Sequence, residues 1–332
     1  LELDLHVTNR CNLLCMHCIY ESNEIEMEDM TPKMLKKLIP DFHKLGITEV
    51  HLTGGEPLLN PWIAEIIEIL SLNGLEVRLQ TNGIKINETT IDNLMSKGLK
   101  SILISLDGLE SNHNFLRNNE NSYNAAIHAI EVCVKSGIYT RVNTVLHKRN
   151  INDIEGLLKV TKDLGVDQHS FFYLTPGGRG KNIKNLMLSL REWDDIEAKI
   201  KSIGKQMDCF DKIKFQNLII DIKHEVNKCR ISARDNCLIL ADGNVYPCVF
   251  FINSPYKLGN IREKSLYDIW NNEDAWNNYN IVRNKRCQNS NCEGGCKGLT
   301  YLITGSFQGC DPRCQYKEDL VPGCIRRYVN LK

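Results

Sequence analysis

Six short β-rich runs, each followed by a stretch with helical apolar spacing, fill residues 1–175. The strand candidates are residues 3–7, 49–52, 76–80, 101–105, 140–145 and 170–174. The first helix is expected to start at Thr31, a side-chain N-cap, with Pro32 at the first helical position. Its apolar face is Leu35, Leu38, Ile39, Phe42 and Leu45, and Gly46 should stop it. Pro40 should kink or split it. Further helices are expected over residues 61–73, 88–97, 122–136, 151–164 and 190–207. Six successive βα units demand a parallel sheet with right-handed crossovers. The expectation is therefore an α/β fold whose strands curl into a full or a partial (β/α)6 TIM-like barrel, with function at the C-terminal strand ends. From about residue 215 the text changes to short strands, loops and dense Cys and Gly. Residues 1–214 and 215–332 are accordingly read as two domains, the second held by metal rather than by apolar bulk.

Fourteen cysteines in 332 residues are the second constraint. Disulfide frameworks belong mainly to short secreted chains. The opening LELDLHVTNRCN lacks the layout of a signal peptide, so export is not expected. There is no run of 18 apolar residues, so no membrane span is expected. With 41 basic and 41 acidic side chains the formal charge is zero, which argues against a nucleic-acid partner. Structural zinc favours paired C-x2-C knuckles, and only Cys15–Cys18 has that spacing. Iron–sulfur clusters accept varied spacings, with four thiolates as the usual set. Three cysteines fall within residues 11–18 and nine within residues 229–324. Cys133 and Cys209 lie on helix candidates and read as packing residues.

Cys11, Cys15 and Cys18 form C-x3-C-x2-C directly after the first strand candidate. Three thiolates can hold three corners of a four-iron cluster and leave one iron open, as a catalytic metal requires. The competing reading is a four-coordinate site completed by His17 or His6. Three motifs then sit at successive strand ends: Thr53-Gly54-Gly55-Glu56-Pro57, Gln80-Thr81-Asn82-Gly83, and Ser105-Leu106-Asp107-Gly108 with Arg117 beyond it. Each alone would pass for a turn. Their shared placement points to a ligand site whose glycines admit close backbone approach and whose Glu56 accepts from an ammonium.

This combination resembles the radical S-adenosylmethionine (SAM) superfamily. The resemblance implies that Cys11, Cys15 and Cys18 bind a 4Fe–4S cluster whose open iron is chelated by SAM. It further implies that Gly54, Gly55 and Glu56 face the SAM amino group, and that Ser105 and Asp107 lie near its ribose or methionine. Asn82 counts among the cofactor contacts, and Arg117 is the partner of the SAM carboxylate. His17 stands where relatives commonly carry Tyr or Phe, and it is expected to cover the adenine. The implied chemistry is reductive cleavage of SAM to a 5′-deoxyadenosyl radical that abstracts a substrate hydrogen, with the protein positioning the reactants.

Cys229-x13-Gly243-x4-Cys248 and Cys292-Glu-Gly-Gly-Cys296 resemble the SPASM extension of peptide- and protein-modifying radical SAM enzymes. The resemblance implies two auxiliary 4Fe–4S clusters, three in all. The first would take Cys229, Cys237, Cys248 and Cys296. The second would take Cys287, Cys292 and two of Cys310, Cys314 and Cys324, with Cys314 the better family match. Here C-x4-C-x3-C is shorter than the family's run, so one ligand is replaced or the second cluster keeps an open site. Pro176-Gly177-Gly178-Arg179-Gly180 resembles a segment of SPASM relatives that include haem-pathway members; it is read as a pocket loop or a plain turn.

The function expected is modification of a ribosomally made peptide by hydrogen abstraction: a crosslink, thioether, cyclopropane or epimerisation. The family implies a precursor peptide and a reductant such as flavodoxin or ferredoxin; with no leader-binding module before the first strand, recognition is expected to use a separate leader-binding protein or the barrel mouth. Anaerobic sulfatase maturation is disfavoured because Val249 stands where those maturases place an Asp. Tetrapyrrole side-chain modification and a purely electron-transferring iron–sulfur protein are the other readings. Oxygen-labile clusters imply a cytoplasmic, anaerobic setting. No catalytic side chain is assigned.

Overall fold

The computed structural model describes residues 1–25, 28–215, 231, 234–277, 279 and 296–306. Seven strands run through the first part: β1 Glu2–His6, β2 Glu49–Thr53, β3 Glu76–Thr81, β4 Ser101–Ser105, β5 Tyr139–Leu146, β6 Gln168–Tyr173 and β7 Ile213–Phe215. Three more follow: β8 Asn236–Ile239, β9 Asn244–Tyr246 and β10 Gly259–Asn260. All ten form one sheet, ordered β10-β9-β8-β1-β2-β3-β4-β5-β6-β7. Strands β1 to β7 are parallel, and β8 joins β1 in parallel. The hairpin partners β9 and β10 are antiparallel. The barrel is unclosed, with β7 and β10 at its edges.

Period-two alternation explains which face holds the core. Leu3 and Leu5 of β1, Val50 and Leu52 of β2, Val77 and Leu79 of β3, and Ile102 and Ile104 of β4 are buried. They meet the apolar faces of helices α1 (Pro32–Lys44), α2 (Ile63–Leu72) and α3 (Glu88–Ser96). On the opposite, inner face the row Asp4, His51, Arg78 and Ser101 crosses β1 to β4 in register. His51 lies 3.4 Å from Asp4 and 2.5 Å from Glu49, and Arg78 pairs with Glu49. Closed barrels fill this space with branched apolar side chains; here it is polar.

Thr31 caps α1 by accepting from Met34 N at 3.3 Å. The helix is not split at Pro40, contrary to one of the two outcomes expected. Pro40 is solvent-facing, so the carbonyl deprived of its partner is hydrated rather than buried. Four further helices complete the first part: α4 Glu110–Arg117, α5 Ser122–Ser136, α6 Ile154–Asp163 and α7 Leu190–Gln206. Only α4 lacks a counterpart in the sequence reading.

The described residues of the C-terminal part contribute a substantial apolar core, which corrects the expectation that this part lacks apolar bulk. Phe251, Leu258, Leu266, Ile269, Trp270, Trp276 and Tyr279 extend the same core as β1 and α1. Trp270 and Trp276 meet edge to face at 5.0 Å. The Asp41 carboxylate on α1 accepts from Tyr267 N at 3.2 Å, joining the two parts directly.

Candidate active site

The loop after β1 carries the three N-terminal cysteines and is gripped on several sides. Gly55 N and Glu56 N donate to the carbonyls of Thr8 (2.7 Å) and Arg10 (2.8 Å). Cys11 N donates to Asn23 O at 2.7 Å, and Met16 N to Leu116 O at 2.9 Å. Glycine is required at the first of these grips. A Cβ on Gly54 would lie 2.8 Å from Thr8 O, and one on Gly55 2.3 Å from Arg10 O. The close approach that these glycines permit is thus to the chain's own cysteine loop. Gly55→Ala is expected to cost about 1–3 kcal/mol of stability, as overpacking does, and to lower retained iron. Urea unfolding and iron analysis would measure both.

Cys11 and Cys15 are buried, and with Cys18 they pack around Leu13 and Ile84. Burial, joined by the neighbouring Cys15, Glu56 and Cys18 and opposed by a hydrogen bond from the Leu13 backbone, pushes the Cys11 thiol up to about 12. Burial also raises Cys15, against the pull of Arg117, whose Nη1 donates to its sulfur at 3.8 Å. Such thiols become thiolates only when a cation takes the place of the proton. Among the described residues no three His, Cys, Asp or Glu side chains converge tightly enough for a single metal ion. Two buried thiols and one half-buried thiol on a single short loop suit three corners of a multi-iron cluster.

Glu56 is fully buried. Its Oε1 accepts from Thr81 Oγ1 (2.8 Å) and Leu58 N (3.1 Å), and its Oε2 from Asn82 N (2.8 Å). Burial still raises its pKa. A carboxylate offers about four acceptor directions, so one remains on Oε2. Asn82 is held in turn by Asn12, 2.8 Å from its Nδ2.

Asp107 and Arg117 form a buried pair: Arg117 Nε and Nη2 reach Asp107 Oδ2 at 2.6 and 2.5 Å. The other oxygen accepts from Val145 N at 2.8 Å. Burial alone would raise the Asp107 carboxyl, but Arg117, His17 and His113 outweigh it and bring it to about 2. His17 is lowered to about 4 by burial and by Arg117, so its imidazole is neutral at pH 7. Its Nδ1 is enclosed without a partner among the described residues. Ser105, buried at the end of β4, lies in register with Asn143 and Ser170 on β5 and β6.

Of the C-terminal cysteines, Cys229, Cys287, Cys292, Cys310, Cys314 and Cys324 lie outside the described residues. Cys237 is fully buried on β8, on the face it shares with Leu3. Cys296 caps the helix Lys297–Thr304, with Leu299 N 3.4 Å from its sulfur. A Cβ on Gly298 would lie 2.5 Å from Phe250, so this helix start is seated on the turn that follows Cys248. Tyr20 lies within electrostatic reach of both cysteine groups. Its hydroxyl is raised by burial first and then by Asp4, Cys18 and Cys248. Its ring lies 4.3 Å from that of His6, both of whose nitrogens are enclosed without partners among the described residues. The sequence reading missed Tyr20, Asn12 and the holding role of Arg179; only Arg179, inside a Gly-rich motif, carried a visible signal.

A family model described as the radical SAM superfamily matches residues 5–161, and one described as an iron–sulfur cluster-binding domain (SPASM) matches residues 229–297. The chain is 26% identical over 334 residues to the AdoMet-dependent heme synthase of Methanosarcina barkeri, covering 94% of this chain and 95% of the relative. It is 22% identical over 331 residues to the mycofactocin maturase MftC of Mycobacterium tuberculosis, covering 94% and 82%. Streptococcus suis SuiB bound to its precursor peptide SuiA shares the fold with a TM-score of 0.80 at 19% identity, over 96% of this chain and 76% of that one.

Proposed function

Since the chain carries a radical SAM domain followed by a SPASM domain, we propose that it modifies a ribosomally synthesised peptide by hydrogen abstraction. The observation that carries this reading is the Gly177–Gly178 backbone, which is pressed against Cys18 and Ile19 of the N-terminal cysteine loop and against Leu302 of the helix that Cys296 caps. Likeness to MftC and to the fold of SuiB supports a peptide as the substrate.

When bound, the cluster and SAM supply reductive cleavage to the 5′-deoxyadenosyl radical. Cys11, Cys15 and Cys18 hold three irons and leave the fourth open. Glu56 takes the SAM ammonium on its remaining Oε2 direction, and the Gly54–Gly55 backbone keeps that carboxylate beside the loop. Arg117, fixed by Asp107, is positioned to meet a carboxylate beside Cys15. His17 covers the adenine, and Asn82 and Ser105 line the cofactor. Cys237, Cys248 and Cys296, with Cys229, hold the first auxiliary cluster; Cys287, Cys292 and two of Cys310, Cys314 and Cys324 hold the second. Three four-iron sites amount to about 12 iron atoms per chain. A flavodoxin or ferredoxin delivers the electrons, and the oxygen-labile clusters suit the cytoplasm. Among the described residues no helix is long and apolar enough to cross a membrane.

Mass spectrometry of a candidate peptide after anaerobic reaction with SAM and dithionite tests the proposal. Loss of two hydrogens is expected for a crosslink or ring closure. An unchanged mass in water with a gain of one in deuterated water after back-exchange is expected for epimerisation. Tetrapyrrole side-chain modification is the second reading, favoured by the likeness to the heme synthase over 94% of the chain. An iron porphyrin incubated in parallel should return unchanged; its conversion, with the peptide untouched, would replace the first reading by the second.

A further inference from the structure

The segment Pro176-Gly177-Gly178-Arg179-Gly180 follows β6 and takes no part in the chemistry above. Its glycines are pressed against other parts of the chain. At Gly178, with φ +52°, a Cβ would lie 2.4 Å from Cys18 O; at Gly177 it would lie 2.9 Å from Ile19 and 3.3 Å from Leu302. The segment is therefore flush with the cysteine loop on one side and with the helix Lys297–Thr304 on the other. From it Arg179 makes three donations. Its backbone N–H goes to Cys18 O at 3.0 Å, Nε to Cys15 O at 2.8 Å, and Nη1 to Ser22 O at 2.8 Å.

All three acceptors are neutral carbonyls. The other cations nearby are matched by carboxylates: Arg117 by Asp107, Arg10 by Asp29, and Lys181 by Glu21. Among the described residues no carboxylate pairs with Arg179, and its Nη2 is enclosed without an acceptor. A guanidinium cannot shed its charge, so among the described residues one positive charge without a paired carboxylate is fixed beside the carbonyls of Cys15 and Cys18.

We propose that Arg179 is a positioning residue for the SAM-binding cluster: it fixes the loop at Cys15 and Cys18, and its unmatched charge favours the reduced cluster. Iron–sulfur potentials respond to net charge, hydrogen bonding and exposure, and one-electron reduction adds a negative charge next to this guanidinium. The inference rests on a cluster at Cys11, Cys15 and Cys18, and is independent of the substrate's identity.

Redox titration of the reconstituted holoenzyme, following the EPR signal that responds to added SAM, tests it. At the wild-type midpoint, Arg179→Gln should lower the reduced-to-oxidised ratio about tenfold, equal to about 59 mV for one electron. Arg179→Lys, which keeps the charge, should stay within about threefold of wild type, as should Lys181→Gln at a cation already paired. A Gln variant with full iron and an unchanged ratio overturns the proposal. If the Gln variant loses its iron, the Lys variant decides: a ratio near wild type supports the proposal and a tenfold fall overturns it. Loss of iron from both variants also overturns it, because Arg179 then only holds the loop. Absence of any SAM-responsive signal in the wild type would instead refute the cluster assignment itself.

Discussion

Cys15→Ala is expected to abolish 5′-deoxyadenosine formation and to remove the iron of one cluster. Cys15 is buried within the triad and is the thiol to which Arg117 donates. Its loss takes away one proposed iron ligand and a contact that ties the Asp107–Arg117 pair to the loop. The fall should exceed the roughly 10–100-fold that outer-shell changes at metal sites cost. Iron should drop by about four atoms per chain, the content of one four-iron site. Chromatography of SAM products and iron analysis read both quantities. Cys133→Ala serves as the comparison: that thiol is buried in the main apolar core, so SAM cleavage should be retained. A Cys15 variant with full iron and wild-type cleavage would contradict the assignment.

Asp107→Asn should be the most destabilising single change at the site. The pair is buried, and removing one charge leaves Arg117 without its counter-ion; losses of about 3–5 kcal/mol are usual in such cases. The sign of the pH dependence follows from the carboxyl at about 2 in the fold, against about 3.9 in an unfolded chain. A folded-state pKa below the unfolded one stabilises the fold above the unfolded value, and the contribution disappears as the pH falls from about 4 toward 2. The wild-type melting temperature should therefore drop through this window, and the variant's should drop less. Scanning calorimetry of both proteins across that range checks the prediction; parallel curves would mean that Asp107 does not titrate as argued.

The strands and most of the helices were legible because their signals are local. Alternating runs and a Thr-Pro start at residues 31 and 32 need no knowledge of distant residues. Helix α4 was not legible. Its sequence ESNHNFLR has apolar residues only at Phe115 and Leu116, and Leu109 offers no side-chain cap. That helix is held instead by tertiary contacts, including Met16 N on Leu116 O. Among the site residues, motif spacing identified Glu56 and Arg117, but their immediate partners are set by the fold. Asn12 meets Asn82 from 70 residues away, and Arg179 reaches Cys15 across 164. The aromatic core behind Cys248 was hidden for the same reason. Tyr256, Tyr279 and Tyr301 surround Phe251 only after the chain has returned to β1.

The pairing of β1 with β8 has a consequence for the order in which the molecule can be completed. Residues 2–5 pair with residues 236–239, so β1 receives its second neighbour only after more than 200 further residues have been made. At roughly 5–20 residues per second, that edge of β1 stays open for tens of seconds after it leaves the ribosome. An open parallel edge carrying Leu3 and Leu5 is a template for unwanted pairing until it is covered. The C-terminal part therefore acts as a late-arriving guard for the central strand, and the loop that holds Cys11, Cys15 and Cys18 springs from the strand being guarded. Assembly of the proposed iron site is thereby tied to the arrival of β8.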